Sequence, residues 1–122
     1  MDTVLDAAIS RMLRHTFAQT HPGVVSARRQ ALCGFDPGCF AQACLALAAL
    51  DLKPVLSRIR KRTLILCGAE DQTTPAALAR ELAYAIPGAV YRDIPECGHC
   101  PMLEQSEALV SEIGKFLSDM PG

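Results

Sequence analysis

Two short polar turns carry the side chains with the most chemistry in this chain. One is Gly68-Ala-Glu-Asp71-Gln-Thr-Thr-Pro75 and the other is Pro95-Glu-Cys-Gly-His99-Cys-Pro101, and each follows an apolar run. In an open parallel sheet, ligands sit beyond the carboxyl ends of the strands. Neighbouring parallel strands would set these two turns side by side. His99 would then donate its Nδ1–H to Asp71, which holds the ring in one tautomer. Its other nitrogen would be left to act as general base and then as general acid. Each residue also has a plainer role. An aspartate before Thr-Thr-Pro stabilises a helix entry by charge and capping, and a histidine in a Gly-His turn is often a loop residue. Two such turns at equivalent strand ends favour a paired site, with Glu70 as the rival acid. His15 and His21 lie in or just after the first helical stretch and are expected on the surface.

The second turn also contains Cys97-Gly-His-Cys100, which resembles the C-G-H-C redox motif of protein disulfide isomerases. At a helix N-terminus that spacing lowers the first thiol's pKa and supports exchange. The chain after Cys100 is long enough for one helix but not for the further strands of a thioredoxin domain, and Pro101 directly follows the pair. A zinc site from Cys97, His99 and Cys100 would need a fourth ligand such as Cys67, and ligands this close in sequence seldom surround one ion.

The framework that must hold these turns changes character midway. Apolar residues at Val4, Leu5, Ala8, Ile9, Met12, Leu13 and Phe17 predict one helix over Thr3–Gln19, broken by His21-Pro22-Gly23. A second helix is expected at about Val24–Leu32. A third starts at Asp36-Pro37 and carries Phe40, Ala43, Cys44, Leu47 and Leu50. After a short helix at Pro54–Ile59, Thr63–Cys67 is continuously apolar, which suits a parallel strand covered on both faces. Thr73-Thr74-Pro75 predicts an N-cap and first turn of a helix to Ile86. Val90–Ile94 is the second strand. Ser106–Ser118 is the last helix, with Leu109, Val110, Ile113, Phe116 and Leu117 on its buried side. The order α-α-α then β-α-β-α makes an α/β chain with a parallel crossover. Two strands are too few for a stable sheet, so the rest of the sheet is expected elsewhere.

Composition narrows the function classes. The 122 residues give room for one domain, and 12 basic against 13 acidic residues make no case for a nucleic-acid partner. The basic run Arg58-Ile-Arg-Lys-Arg62 reads as a solvated approach to the strand. No apolar stretch nears the ~18 residues of a membrane span. The start, Met-Asp-Thr-Val-Leu-Asp, lacks the basic opening of a signal peptide, so a cytoplasmic location is expected. The six cysteines are expected as free thiols, several of them buried as small hydrophobes, as in Phe40-Ala-Gln-Ala-Cys44-Leu and Leu64-Ile-Leu-Cys67.

Leu64-Ile-Leu-Cys-Gly-Ala-Glu-Asp71 resembles the strand and acid turn of the α/β-hydrolases, and Cys97-Gly-His99-Cys-Pro-Met-Leu-Glu-Gln105 resembles their histidine turn. The order agrees with their sequence of nucleophile, acid, histidine. Within the superfamily the chain is most similar to 3-oxoadipate enol-lactonases, and Phe35–Asp51 resembles the end of their helical cap. The resemblance implies a partial α/β-hydrolase fold, with a cap segment at 1–52 and a C-terminal β-α-β-α core segment at 53–122. It implies hydrolysis of a carboxylic ester or enol-lactone through an acyl-enzyme, with Asp71 and His99 catalytic and no metal or organic cofactor. No G-x-S-x-G elbow is present, and the serines at 10, 26, 57, 106, 111 and 118 are not flanked by glycines after a strand. The chain alone is therefore expected to be inactive. It would act on a small ester or lactone once completed by an N-terminal hydrolase segment, or associate with itself through its open sheet. Two other classes remain: a non-catalytic interaction module, and a small thiol-disulfide oxidoreductase.

Overall fold

The apolar run Leu64–Gly68 and the segment Val90–Ile94, with Val90, Tyr91 and Ile94 as its β-formers, pair in parallel as strands β1 and β2, with Leu64 opposite Val90 and Gly68 opposite Ile94. The computed structural model describes residues 2–119. The helices are α1 (Asp2–Met12), α2 (His15–Thr20), α3 (Pro22–Cys33), α4 (Pro37–Ala49), α5 (Ala76–Ala85), α6 (Pro101–Glu104) and α7 (Ser106–Ser118), with a 3₁₀ turn at Lys53–Arg58 before β1. Among the described residues the sheet has two strands, in the order β1-β2. α5 crosses between them and packs against both, while α7 touches the same pair.

Two small cores result. One lies at the carboxyl ends of the strands, where Cys67, Ile94 and Cys97 are buried, Ile94 being 1% and Cys97 0% exposed, and Ile86 is buried where the chain leaves α5 for β2. The other joins the N-terminal helices to the histidine turn. Ile9, Leu13 and Cys100 form its centre, with Phe17, Val24 and Leu103 against them. An Arg29–Asp6 ion pair ties α3 to α1 on the outside.

Several expectations are corrected. The helix expected over Thr3–Gln19 is two helices, interrupted at Leu13-Arg14. No local breaker stands there. The interruption exists because the Arg14 N–H donates to Glu104 Oε2 at 3.1 Å and Met12 O accepts the His99 N–H at 2.9 Å. The break expected at His21-Pro22-Gly23 falls at His21, between α2 and α3, and α3 starts at Pro22 rather than at Val24, because proline's missing N–H costs nothing in a first turn. α5 starts after Pro75 with no side-chain cap, because the Thr74 hydroxyl is engaged with Asp71 and His99. The expected buried face of the last helix is largely open, and Cys44, expected as a buried hydrophobe, lies on an open helix. Phe40 and Leu47 on α4 are 56% and 69% exposed, Cys44 is exposed, and Val110, Ile113 and Leu117 on α7 are exposed as well. α4 is apolar on all sides and carries no charge, and Asp36 caps it through the Cys39 N–H at 2.8 Å. β1 is likewise only half-buried from Leu64 to Leu66, so the two-sided cover expected of it is not supplied by these residues.

Candidate active site

The two polar turns meet at the carboxyl ends of β1 and β2. The Asp71 Oδ2 lies 2.9 Å from His99 Nδ1. Asp71 Oδ1 accepts the backbone N–H groups of Thr73 and Thr74 at 2.8 and 2.9 Å, so the carboxylate makes an Asx-type turn around its own loop. The Thr74 hydroxyl donates to Asp71 Oδ2 at 2.9 Å and lies 3.2 Å from His99 Nδ1. The Asp71 side chain is 5% exposed and that of His99 34%. Burial pulls the Asp71 carboxyl upward, but the hydrogen bonds from His99, Thr74 and Thr73 outweigh it and hold the group below the usual carboxylate value. An ionised Asp71 takes the Nδ1–H of His99, which leaves Nε2 without a hydrogen bond among the described residues. That is the geometry of an oriented general base.

Backbone contacts hold the turns together. The Glu70 N–H donates to Cys97 O and the Ala69 N–H to Ile94 O, both at 2.9 Å. Gly68 is required by this crossing, since a Cβ there would lie 2.0 Å from Gly98 O and 2.5 Å from Cys97 O. The Gly98 N–H donates to Glu104 Oε1 at 3.1 Å, and Glu96 bends the loop with a φ of 50°.

Asp71 and His99, the two residues singled out from sequence, are thus in contact. Glu70 is elsewhere: its Oε1 lies 3.1 Å from Arg14 Nε as an ion pair, off the direction of the N–H. His15 and His21 are exposed, and the His21 ring stacks on Phe17 at 4.1 Å. Thr74 also belongs to the site: the local sequence reads as a helix cap, and only the position of His99 redirects its hydroxyl.

All six cysteines are free. Cys97 and Cys100 are buried, and burial pushes the Cys97 thiol up to about 12 and raises that of Cys100. A redox C-x-x-C needs the opposite shift. Cys67 is buried and its thiol is raised by burial and by the charges of Asp71 and Asp93. Among the described residues no three His, Cys, Asp or Glu side chains converge as a metal site, and no serine or cysteine hydrogen-bonds to His99.

A groove of about 1550 Å³ opens beside the pair. Asp71, Thr74 and His99 form its polar end, and Ile65, Leu78 and Met102 are among its apolar walls. Among the described residues no single helix is long and apolar enough to cross a membrane.

Comparison with known proteins agrees with this fold. The structure of an enol-lactonase from Burkholderia xenovorans LB400 superposes on 98% of this chain with a TM-score of 0.91 and 28% identity, the match covering 45% of that protein. A thermophilic esterase from Thermogutta terrifontis matches 95% of the chain with a TM-score of 0.85 and 28% identity, covering 43% of that protein. BpoC of Mycobacterium tuberculosis is 34% identical over 67 residues, which are 55% of this chain and 26% of BpoC. The chain therefore spans less than half the length of these relatives. The sequence profile of the alpha/beta hydrolase family matches residues 3–112, and with the parallel strands and their acid and histidine turns it shows that this chain belongs to the alpha/beta hydrolase family.

Proposed function

We propose that this chain supplies the acid and the general base of a carboxylic-ester or enol-lactone hydrolase whose nucleophile lies on another segment. The observation that carries this is the 2.9 Å bond between Asp71 and His99, with the histidine's second nitrogen unengaged on a ring that lines the groove. In the reaction, a serine hydroxyl from a G-x-S-x-G elbow gives its proton to His99 Nε2 as its oxygen attacks the substrate carbonyl. Asp71 stabilises the imidazolium that forms. His99 then protonates the leaving oxygen, and a water activated by the same nitrogen hydrolyses the acyl-enzyme. No step calls for a metal or organic cofactor. The enol-lactonase likeness makes a lactone or small ester the favoured substrate class. Residues 1–52 act as the cap segment and 53–122 as the core segment.

The nucleophile and its oxyanion donors come from the earlier part of a hydrolase framework, on the same polypeptide or another. The open flank of β1 and the uncovered α4 favour association, either with that framework or with a second copy. The free thiols suit a cytoplasmic setting.

The test is complementation. The chain is mixed or co-expressed with a segment of a related enol-lactonase that bears its earlier strands and G-x-S-x-G elbow, and hydrolysis of an activated ester and an enol-lactone is followed. Alone, the chain is expected to give no turnover. The mixture is expected to give turnover that His99→Ala abolishes, and light scattering is expected to show a complex. Ester turnover by the chain alone that survives His99→Ala would refute the proposal.

A further inference from the structure

We propose that the end of α1, together with Arg14 and Glu104, is a clip that holds the acid and histidine turns in register, which makes Glu104 a positioning residue for His99. The proposal rests on Asp71 and His99 being the working pair. A helix leaves its last carbonyls without partners of its own. At the end of α1, the Thr73 hydroxyl donates to Arg11 O at 3.0 Å, and the His99 N–H donates to Met12 O at 2.9 Å. Thr73 belongs to the acid turn and His99 to the histidine turn, so one helix end binds both.

The chain then leaves the helix, and the next backbone N–H completes the clip. Arg14 N–H donates to Glu104 Oε2 at 3.1 Å, while Glu104 Oε1 accepts the Gly98 N–H at 3.1 Å. One carboxylate therefore bridges the α1–α2 joint and the residue immediately before His99. The Arg14 guanidinium extends the contact, with Nη1 donating to Glu96 O at 2.7 Å and Nε 3.1 Å from Glu70 Oε1. Glu70 and Glu96 belong to the acid turn and the histidine turn respectively. The approach is tight at residue 98, where a Cβ would lie 2.9 Å from Glu104 Oε1 and 3.2 Å from both Arg14 N and Met12 O, so that a side chain there would shift the clip's own atoms. Leu13, 3% exposed beside buried Cys100, pins the joint from the apolar side.

The consequence is for orientation. The His99 ring has Asp71 and Thr74 on one nitrogen only, so the direction of Nε2 follows the backbone of its turn. N–H groups held by a carboxylate make bonds roughly twice as strong as neutral ones, and displacement of a catalytic group by about 1 Å can cost ~10²-fold in rate.

The Nδ1–H proton of His99 reads the clip on this chain alone, by NMR, without a nucleophile. In the unaltered chain it is expected as a downfield resonance that exchanges slowly with water. In Glu104→Gln, one carbonyl oxygen can still accept one of the two N–H groups, and exchange is expected to quicken severalfold. In Glu104→Ala it is expected to quicken by about tenfold or more. Cooperative thermal unfolding is measured alongside, and if the alanine variant does not fold, the isosteric glutamine variant decides. A folded Glu104→Gln chain with unchanged exchange would overturn the clip, and complementation assays would still judge the hydrolase proposal separately. Absence of the resonance from the unaltered chain would remove the pair itself, and the clip with it.

Discussion

Gly68 and Gly98 face each other so closely that a methyl group on Gly68 would lie 2.0 Å from the Gly98 carbonyl oxygen. The contact is backbone against backbone, so no side chain can rotate away. Gly68→Ala must push the histidine turn off the acid turn. It is expected to destabilise the fold by about 3 kcal/mol, the upper end for overpacking. A denaturant midpoint equal to that of the unaltered chain would show that the turns yield more easily than this geometry allows.

Asp71 makes stability depend on acid pH. Its carboxyl is held below the usual value in the folded chain, against about 3.9 in an unfolded one. The ionised form therefore stabilises the fold above the unfolded pKa, and that contribution is lost as pH falls through the lower folded pKa. Urea midpoints are expected to drop on acidification from neutrality to about pH 3. Asp71→Asn is expected to be less stable near neutrality and to lose part of this acid dependence. An asparagine variant that follows the parent at every pH would contradict the assignment.

In a complemented hydrolase, the same Asp71→Asn is expected to lower kcat by roughly 10⁴-fold, because the amide stabilises the wrong tautomer of His99 and cannot balance the imidazolium. Glu70→Gln, whose partner is Arg14, is expected to leave kcat within about an order of magnitude. Steady-state kinetics on both variants distinguish the two acids, and the reverse ranking would move the acid's role to Glu70.

Thr74→Val removes a hydroxyl that donates to Asp71 Oδ2. The loss is expected to cost about 1 kcal/mol near neutrality and to raise the Asp71 carboxyl toward its ordinary value. Titration of the carboxyl carbon by NMR reads the second effect directly. An unmoved titration would mean that the hydroxyl is not a partner of the carboxylate.

Thiol reactivity should divide the cysteines in half. Cys33, Cys39 and Cys44 are exposed, whereas Cys67, Cys97 and Cys100 are buried. With a thiol pushed up to about 12, Cys97 holds almost no thiolate near neutrality. Mass spectrometry after brief alkylation of the native chain is expected to find label on the first three only. Rapid labelling of Cys97 would revive the redox reading of the C-G-H-C motif.

The sequence by itself determined the parts whose causes are local. The continuous apolar run before Gly68, the Pro-Gly break at 87–88 and the apolar period of the last helix are each readable within a few residues. They specify a parallel β-α-β unit and leave Asp71 and His99 at equivalent strand ends. The tertiary structure decided what depends on distant partners. Leu13-Arg14 has no helix breaker, and α1 ends there because Glu104, 90 residues away, takes the Arg14 N–H and because His99 occupies the Met12 carbonyl. Thr74 resembles a helix cap until His99, 25 residues on, arrives beside its hydroxyl. Periodicity showed that α4 and α7 have apolar faces but could not say what covers them, since burial belongs to the partner surface as much as to the helix. Backbone propensity acts within a turn or two of the chain, whereas hydrogen-bond partners and burial are set by what folding brings together.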